Sequence, residues 1–349
     1  MSNDIALIIL ALFYAGLFLW AFRVLPSARW QFLASVPTQQ TASGTWSGVN
    51  LTYYGLLTAG AVTMAVAMMM VMLASLHTPL LHITLLIVTL LIVTVPAARI
   101  TARMVERKAN GFTIGGAAFT GLLAAPWVIG VINAVTADPT PGLPLVGSLA
   151  ALTVAYAFGE GTGRLACMSF GCCYGKPVSA GPPGCRSLFN KHHFTFSGET
   201  KKAVYEGGFE AVPLIPIQAV TASVLIASAL AGFALFLRNN FLMAFMITLF
   251  LTQGWRVLSE FLRADHRGGS RLTAYQIMAL MGIFYGAILA SFGSPDNTEP
   301  PDLVAGLSAL WNPPVILSLQ LLWLIIFLYT GRSTVTTAEI SFSVLKDRI

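Results

Sequence analysis

The stretch Gly159 to Pro177, "GEGTGRLACMSFGCCYGKP", places a carboxylate, a guanidinium, three thiols and five glycines directly after an apolar run. Glu160 and Arg164 are four residues apart, so on a helix they share a face. Two chemistries are open to that pair. It can be an internal ion pair that lets both charges enter an apolar bundle. Alternatively Arg164 binds an anion, with Gly159, Gly161, Gly163, Gly171 and Gly175 leaving the backbone around it accessible. A second charged group is "WRVLSEFLRADHRGGSR", where Arg256, Glu260 and Arg263 fall at i, i+4 and i+7 of a helical stripe. Two guanidiniums flanking one carboxylate suit a phosphate, because arginine offers a fork of donors and keeps its charge. Arg267 and Arg271 just beyond fit interfacial snorkelling, which suits Arg256 badly. A third group, Arg99, Arg103, Arg107 and Lys108, reads as a basic loop beside a membrane, followed by Gly115-Gly116, a pair that permits close helix packing.

These charges matter because the rest of the chain is so apolar. Of 349 residues, 56% are hydrophobic and only 10% charged, with a mean hydropathy of +0.75. Soluble domains carry about 25% charged residues. Nine apolar segments are long enough to span a bilayer: 5–22, 51–75, 79–98, 113–134, 145–163, 214–237, 241–262, 272–292 and 315–331. The fold class that follows is all-α, a multi-pass integral membrane helical bundle. The first segment has no Lys or Arg before it and is read as a retained span. Residues 176–212, with "KHH" and "KK", form a polar loop or cap over one end. The acidic, Pro-rich 293–314 reads as a linker and the tail from Gly331 as peripheral.

The pI near 9.3 does not imply nucleic acid, because no aromatic residues interleave with the basic ones. In a membrane protein such charges mark a bilayer face or an anionic headgroup. Cys167, Cys172, Cys173 and Cys185 have the spacing C-x₄-C-C-x₁₁-C, a poor fit to the paired C-x₂₋₄-C units of structural zinc sites. No metal and no cofactor are expected; a cysteine-based redox or metal function is the least favoured of the readings. If the spans alternate, the ends at 99–112, 163–213 and 263–272 lie on one side and form a basic, glycine-lined pocket suited to an anionic lipid headgroup.

With those residues in view, the chain resembles the bacterial prolipoprotein diacylglyceryl transferase family. "TYYGLLTAG" resembles its Tyr-Gly segment, with Tyr54 at the tyrosine, and "FTIGGAAFTGLL" its His-Gly-Gly segment, with Gly115 and Gly116. The quoted stretch resembles its signature, whose Gly-Arg pair falls on Gly163 and Arg164. "IPIQAV" gives Pro216 and Gln218, "WRVLSEFLR" gives Arg256, Glu260 and Arg263, and "LTAYQIMAL" gives Gln276. The similarity covers about 50–292, with 1–49 and 293–349 as additions: a seven-span core with one further span at each end.

The resemblance implies an enzyme of the bacterial cytoplasmic (inner) membrane and of lipoprotein biosynthesis. Its partners would be phosphatidylglycerol, as donor of a diacylglyceryl group, and a lipobox-type protein or another nucleophilic acceptor, with glycerol phosphate released. Arg164 and Arg256 would then stabilise the leaving phosphate, Glu260 would orient one of them, and Tyr54 would bind the headgroup or an ester. The acceptor half of the pattern departs: Ile114 stands for the family's His, Cys167 for its Asn, Cys172 for its Glu, and Ile215 for a further His, while Val220 and Thr221 replace a Tyr and a Glu. An incoming thiol, with a pKa of about 8.5, needs a base or an activated thiolate. Glu160 and His266 are the substitute bases this sequence offers. The competing function is a protein that binds or moves an anionic phospholipid without chemistry. The family's site opens on the outer face, whereas the basic residues, by the positive-inside rule, favour the cytoplasm. The outward orientation is the reading taken.

Overall fold

The computed structural model describes residues 3–106, 112–136, 142–181, 183–265, 272–292 and 299–349. In chain order the helices are α1 (Asn3–Val24), α2 (Tyr53–Ala74), α3 (Leu80–Glu106), α4 (Ile114–Val135), α5 (Leu145–Phe170), α6 (Pro183–Phe189), α7 (Lys202–Tyr205), α8 (Ile217–Leu237), α9 (Phe241–Glu260), α10 (Ala274–Phe292), α11 (Leu303–Leu310) and α12 (Pro313–Thr330). Nine of them, α1 to α5, α8 to α10 and α12, are long and apolar enough to cross a membrane. The protein is a helical multi-pass membrane bundle.

α5 is its axis. It packs against α2, α8 and α9 and is buried along most of its length. Small residues make this approach possible, as is usual where lipid supplies no hydrophobic drive between helices. A Cβ on Gly159 would come within 2.7 Å of Ala65 on α2, and one on Gly161 within 2.9 Å of Ile226 on α8. Two helices run beyond the apolar segments that define them in sequence. α5 continues from 163 to Phe170, and α3 from 98 to Glu106, because the added residues are mostly good helix formers. Glu160, Arg164 and Cys167 are therefore helical, and so are Arg99 and Arg103. Arg99 is not an ordinary loop charge: its Nη2 donates to Tyr329 Oη on α12 at 2.6 Å, and its guanidinium lies 5.1 Å from that ring's centroid. Arg107 and Lys108 lie outside the described residues.

The sequence reading has no strands, and the described residues form three. β1 (Phe32–Gln40), β2 (Trp46–Thr52) and β3 (Arg332–Ile340) form an antiparallel sheet in the order β1-β2-β3. The tail after Gly331 is thus a paired strand, joined to a hairpin nearly three hundred positions earlier, and Thr52 donates from both its amide and its hydroxyl to Gly331 O. The interval read as a linker contains α11, which packs on α2. Its helix is capped by Asp302, whose carboxylate accepts from the Val304 and Ala305 amides.

Residues 171–216 form a cap with a small core of its own. Phe194, Phe196, Ala203 and Leu214 pack with Tyr174, with Leu165 and Met168 of α5, and with Ala21 and Leu25 at the end of α1.

Candidate functional site

Tyr156, Glu160 and Arg164 are spaced by four, so α5 aligns them on one face. Arg256 reaches the same place from α9. Glu160 Oε1 accepts from Arg164 Nη2, and Oε2 accepts from Tyr156 Oη and, at 2.6 Å, from Arg256 Nη2. Arg256 Nη2 also donates to Tyr156 Oη. The side chains of Glu160, Arg164 and Arg256 are 3%, 11% and 12% exposed, so the trio is buried with two positive charges against one negative. Arg164 Nε is buried without a hydrogen-bond partner among the described residues. Tyr156 is the member the sequence analysis missed. Its signal was its place one turn before Glu160 in the same span.

The Arg256, Glu260, Arg263 stripe does not survive as a unit. α9 ends at Glu260, so Arg263 leaves the helical face. It forms a two-point pair with Asp265, Nε to Oδ1 at 2.8 Å and Nη2 to Oδ2 at 2.9 Å. Glu260 accepts from Thr273 Oγ1 at 3.2 Å and lies 4.0 Å from Arg263 Nε. It is within electrostatic reach of Arg256, but the carboxylate that holds Arg256 and Arg164 is Glu160. His266, Arg267 and Arg271 lie outside the described residues.

Gly171 ends α5 with φ of 73°, a left-handed conformation glycine adopts without steric penalty. Its amide and that of Cys172 both return to Cys167 O, at 2.9 and 3.1 Å. The chain therefore folds back on the last helical turn, and the sulfurs of Cys167, Cys172 and Cys173 all lie within 4.8 Å of one another. The neighbouring Cys167 and Cys173 thiols, together with burial, push the Cys172 thiol well above its ordinary pKa. This trio is what the structure offers a metal ion, although its spacing along the chain argued against one. The side chain of Cys185 lies outside the described residues.

The loop after Cys173 is held on both sides. Lys176 N donates to Leu262 O at 2.9 Å and Ala264 N to Tyr174 O at 3.1 Å, while Ile215 N donates to Lys176 O at 2.9 Å. A Cβ on Gly175 would collide with the Ile215 carbonyl, so this position needs a glycine for close approach. Gln218 Nε2 donates to Cys172 O at 2.9 Å, and its Oε1 is buried without a partner among the described residues. Gln276 accepts from Thr273 N at 2.9 Å and donates to Val257 O at 3.0 Å, tying α10 to α9. Gly115 lies against the network itself: a Cβ there would come 2.7 Å from Tyr275 and 2.8 Å from Arg256 Nη1. Gly116 faces Thr101 on α3, and Gly163 faces Ala61 on α2. The ring of Tyr54 lies 5.6 Å from that of Phe170, within electrostatic reach of Arg164 and the three cysteines. The structure thus brings Arg164, Arg256, Glu160 and Tyr54 to one end of α5. It gives Arg263, Gln218 and Gln276 contacts that shape the surrounding loops.

Beside the network is an apolar cavity of about 220 Å³. It is lined by Met69, Leu90, Ala118, Leu249, Met278 and Tyr156, drawn from six of the spans.

One lysine of the polar cap, Lys201, is completely buried. Lys201 Nζ donates to Ser169 O at 2.6 Å and to Leu25 O at 3.4 Å, binding the cap to the ends of α5 and α1. Burial lowers its pKa to about 8. Gln31 and Thr200 exchange two further hydrogen bonds across the same junction.

Fold and site together describe a membrane-embedded helical protein with a guanidinium pair gathered on one carboxylate at the end of its central span. The sequence model of the family prolipoprotein diacylglyceryl transferase matches residues 44–292, and the chain belongs to that family. No curated protein matches the chain. The family is one of transferases in lipoprotein biosynthesis, moving a diacylglyceryl group to a prolipoprotein.

Proposed function

We propose that the protein moves the diacylglyceryl group of phosphatidylglycerol to a nucleophilic acceptor, a lipoprotein cysteine thiol, at the outer face of the bacterial cytoplasmic membrane. The observation that carries this reading is the meeting of Arg164 and Arg256, from separate spans, on the shared Glu160. Two guanidiniums and one carboxylate leave one positive charge in excess, and a phosphodiester brings one negative charge. When the bond to the glyceryl carbon breaks, the phosphate gains a second charge. Fixed cationic donors in a site shielded from water stabilise that change without reorganising. Arg164 Nε, buried and without a partner among the described residues, is a donor available to a phosphate oxygen.

Glu160 has a different part from the base considered for it. Both of its oxygens accept from cationic or phenolic donors, so taking a proton would break the pairs that place the arginines. It is a positioning residue, and Tyr156 braces it. The apolar cavity beside Tyr156 suits part of a lipid acyl chain, with the headgroup toward the arginines. Tyr54 and Gly115 line the approach, and Gln218, Gln276 and Arg263 hold the surrounding segments.

The test is turnover by the purified chain in phosphatidylglycerol proteoliposomes with a lipobox peptide. Glycerol phosphate released in step with peptide lipidation is the expected result. Lipid recovered bound but unaltered, with no glycerol phosphate, would replace transfer with binding.

A further inference from the structure

The cysteine cluster formed by the last turn of α5 and the reversal after it has no part in the donor chemistry above. Its three sulfurs come from one tight reversal, and those of Cys167 and Cys173 are 3.8 Å apart. A disulfide needs about 2.05 Å. A tetrahedral cation with thiolate ligands at about 2.3 Å separates its sulfurs by about 3.8 Å, the spacing seen here. The reversal is built rather than incidental. Gly171 supplies the left-handed turn, Gln218 holds the Cys172 carbonyl, and Cys173 itself has φ of 55°, a strained conformation for a non-glycine residue. Cys167 and Cys172 are buried, while Cys173 is half-buried. Among the described residues the cluster supplies three ligands, and three protein ligands with an open fourth position are the arrangement of zinc sites that act on a substrate, whereas structural sites are closed by four. Arg164 lies one turn before Cys167, within electrostatic reach of Cys167 and Cys173. A group at the fourth position would therefore neighbour the lipid phosphate.

We propose that Cys167, Cys172 and Cys173 form a three-thiolate site for a thiophilic divalent cation of the zinc type, and that its open position takes the acceptor thiol. The second part rests on the transfer function proposed above. It supplies what this chain's acceptor half lacks, since Cys167 and Cys172 stand where the family pattern has polar groups. A thiol bound to such a cation is held as the thiolate. On binding, the acceptor S–H bond breaks and its proton leaves to water. The sulfur then bonds to the terminal glyceryl carbon of the donor, the carbon–oxygen bond to phosphate breaks, and its electron pair stays on the phosphate oxygen. The products are a thioether and a glycerol phosphate dianion; nothing is oxidised or reduced.

Cobalt(II) is the probe, because thiolate-to-cobalt charge transfer and tetrahedral ligand-field bands report sulfur ligation directly. The full chain, purified in detergent under reducing conditions, is expected to bind one zinc or cobalt ion with those bands. Cys167→Ser, Cys172→Ser and Cys173→Ser should each weaken binding at least about tenfold, and Cys185→Ser should keep it; a loss at Cys185→Ser would overturn the open fourth position. A reduced protein that binds no stoichiometric metal, or binds it equally in the three variants, overturns the site. So does a Cys167–Cys173 disulfide in protein isolated without reductant. A cysteine lipobox peptide should shift the ligand-field bands where its serine counterpart does not; bands that ignore both peptides overturn acceptor ligation. Glycerol phosphate release is read in parallel. Release that persists undiminished after metal removal sinks this inference and leaves the transfer function standing. Ligation without release from any acceptor does the reverse.

Discussion

Glu160 and Glu260 each stand near an arginine in sequence, yet the bundle uses the two acidic groups differently. Glu160 lies inside a helix packed on several sides and gathers two guanidiniums and a phenol on its two oxygens. Glu260 is the last residue of its helix, accepts from a threonine hydroxyl, and stands 4.0 Å from an arginine that prefers Asp265. The first group holds one positive charge in excess, the charge that the proposed function assigns to a lipid phosphate. The second closes on itself and fastens the turn that carries Gly175. Similar residue types thus give a cation-rich cluster in one place and a clasp in the other. The difference lies in the count: two guanidiniums share one carboxylate at Glu160, whereas two carboxylates, Glu260 and Asp265, flank the one guanidinium of Arg263.

The largest expected effect is at Glu160. Glu160→Gln leaves two buried guanidiniums without a counter-charge and should destabilise the protein by about 3–5 kcal/mol, read as a lowered unfolding midpoint in detergent. Glu260→Gln should cost far less, and equal losses would erase the contrast between the two groups. Next is Arg164→Ala, which leaves Glu160 paired with Arg256. It should keep the fold while glycerol phosphate release falls about 10²–10³-fold. Asp265→Asn frees Arg263 and should cost about 1–2 kcal/mol, with release reduced chiefly through a loosened 171–177 loop. Protease susceptibility of that loop would show it.

A smaller effect concerns pH and the cap. Lys201 is held at about 8 in the fold against an ordinary 10.5, so the unfolded chain binds its proton more readily. Between those values the unfolded state carries one proton more, and stability rises with pH. Below about 8 both states are protonated and the penalty is constant. Melting measured from pH 8 to 10.5 should climb for the natural chain and flatten for Lys201→Met. Smallest is Gly115→Ala, whose methyl would press on Tyr275 and Arg256. A loss of activity of about tenfold without a stability change would mark displacement of the Arg256 donor.

Much of this architecture was legible in the residues. Runs of about 20 apolar residues cannot be hidden in a soluble fold of this size, so nine spans could be located from composition and length. The i, i+4 spacing placed Glu160 and Arg164 on one face, and the scarcity of charge made them conspicuous. The ordered segments carried the family. The sheet was less legible: β1 and β3 sit at opposite ends of the chain, are mostly exposed, and carry no hydrophobic alternation that marks a buried face.

By itself the sequence determined the membrane class, the spans and the identity of the charges that must be accommodated, because these follow from local composition and helical period. Tertiary structure alone decided which charges meet. Arg256 turns to Glu160, ninety-six residues away, rather than to Glu260 on its own helix. Lys201 is drawn inside by carbonyls of two other elements. Three cysteines with unpromising spacing are brought together by one left-handed glycine. Pairing of this kind depends on how helices cross and where a turn reverses, and no spacing along the chain encodes that.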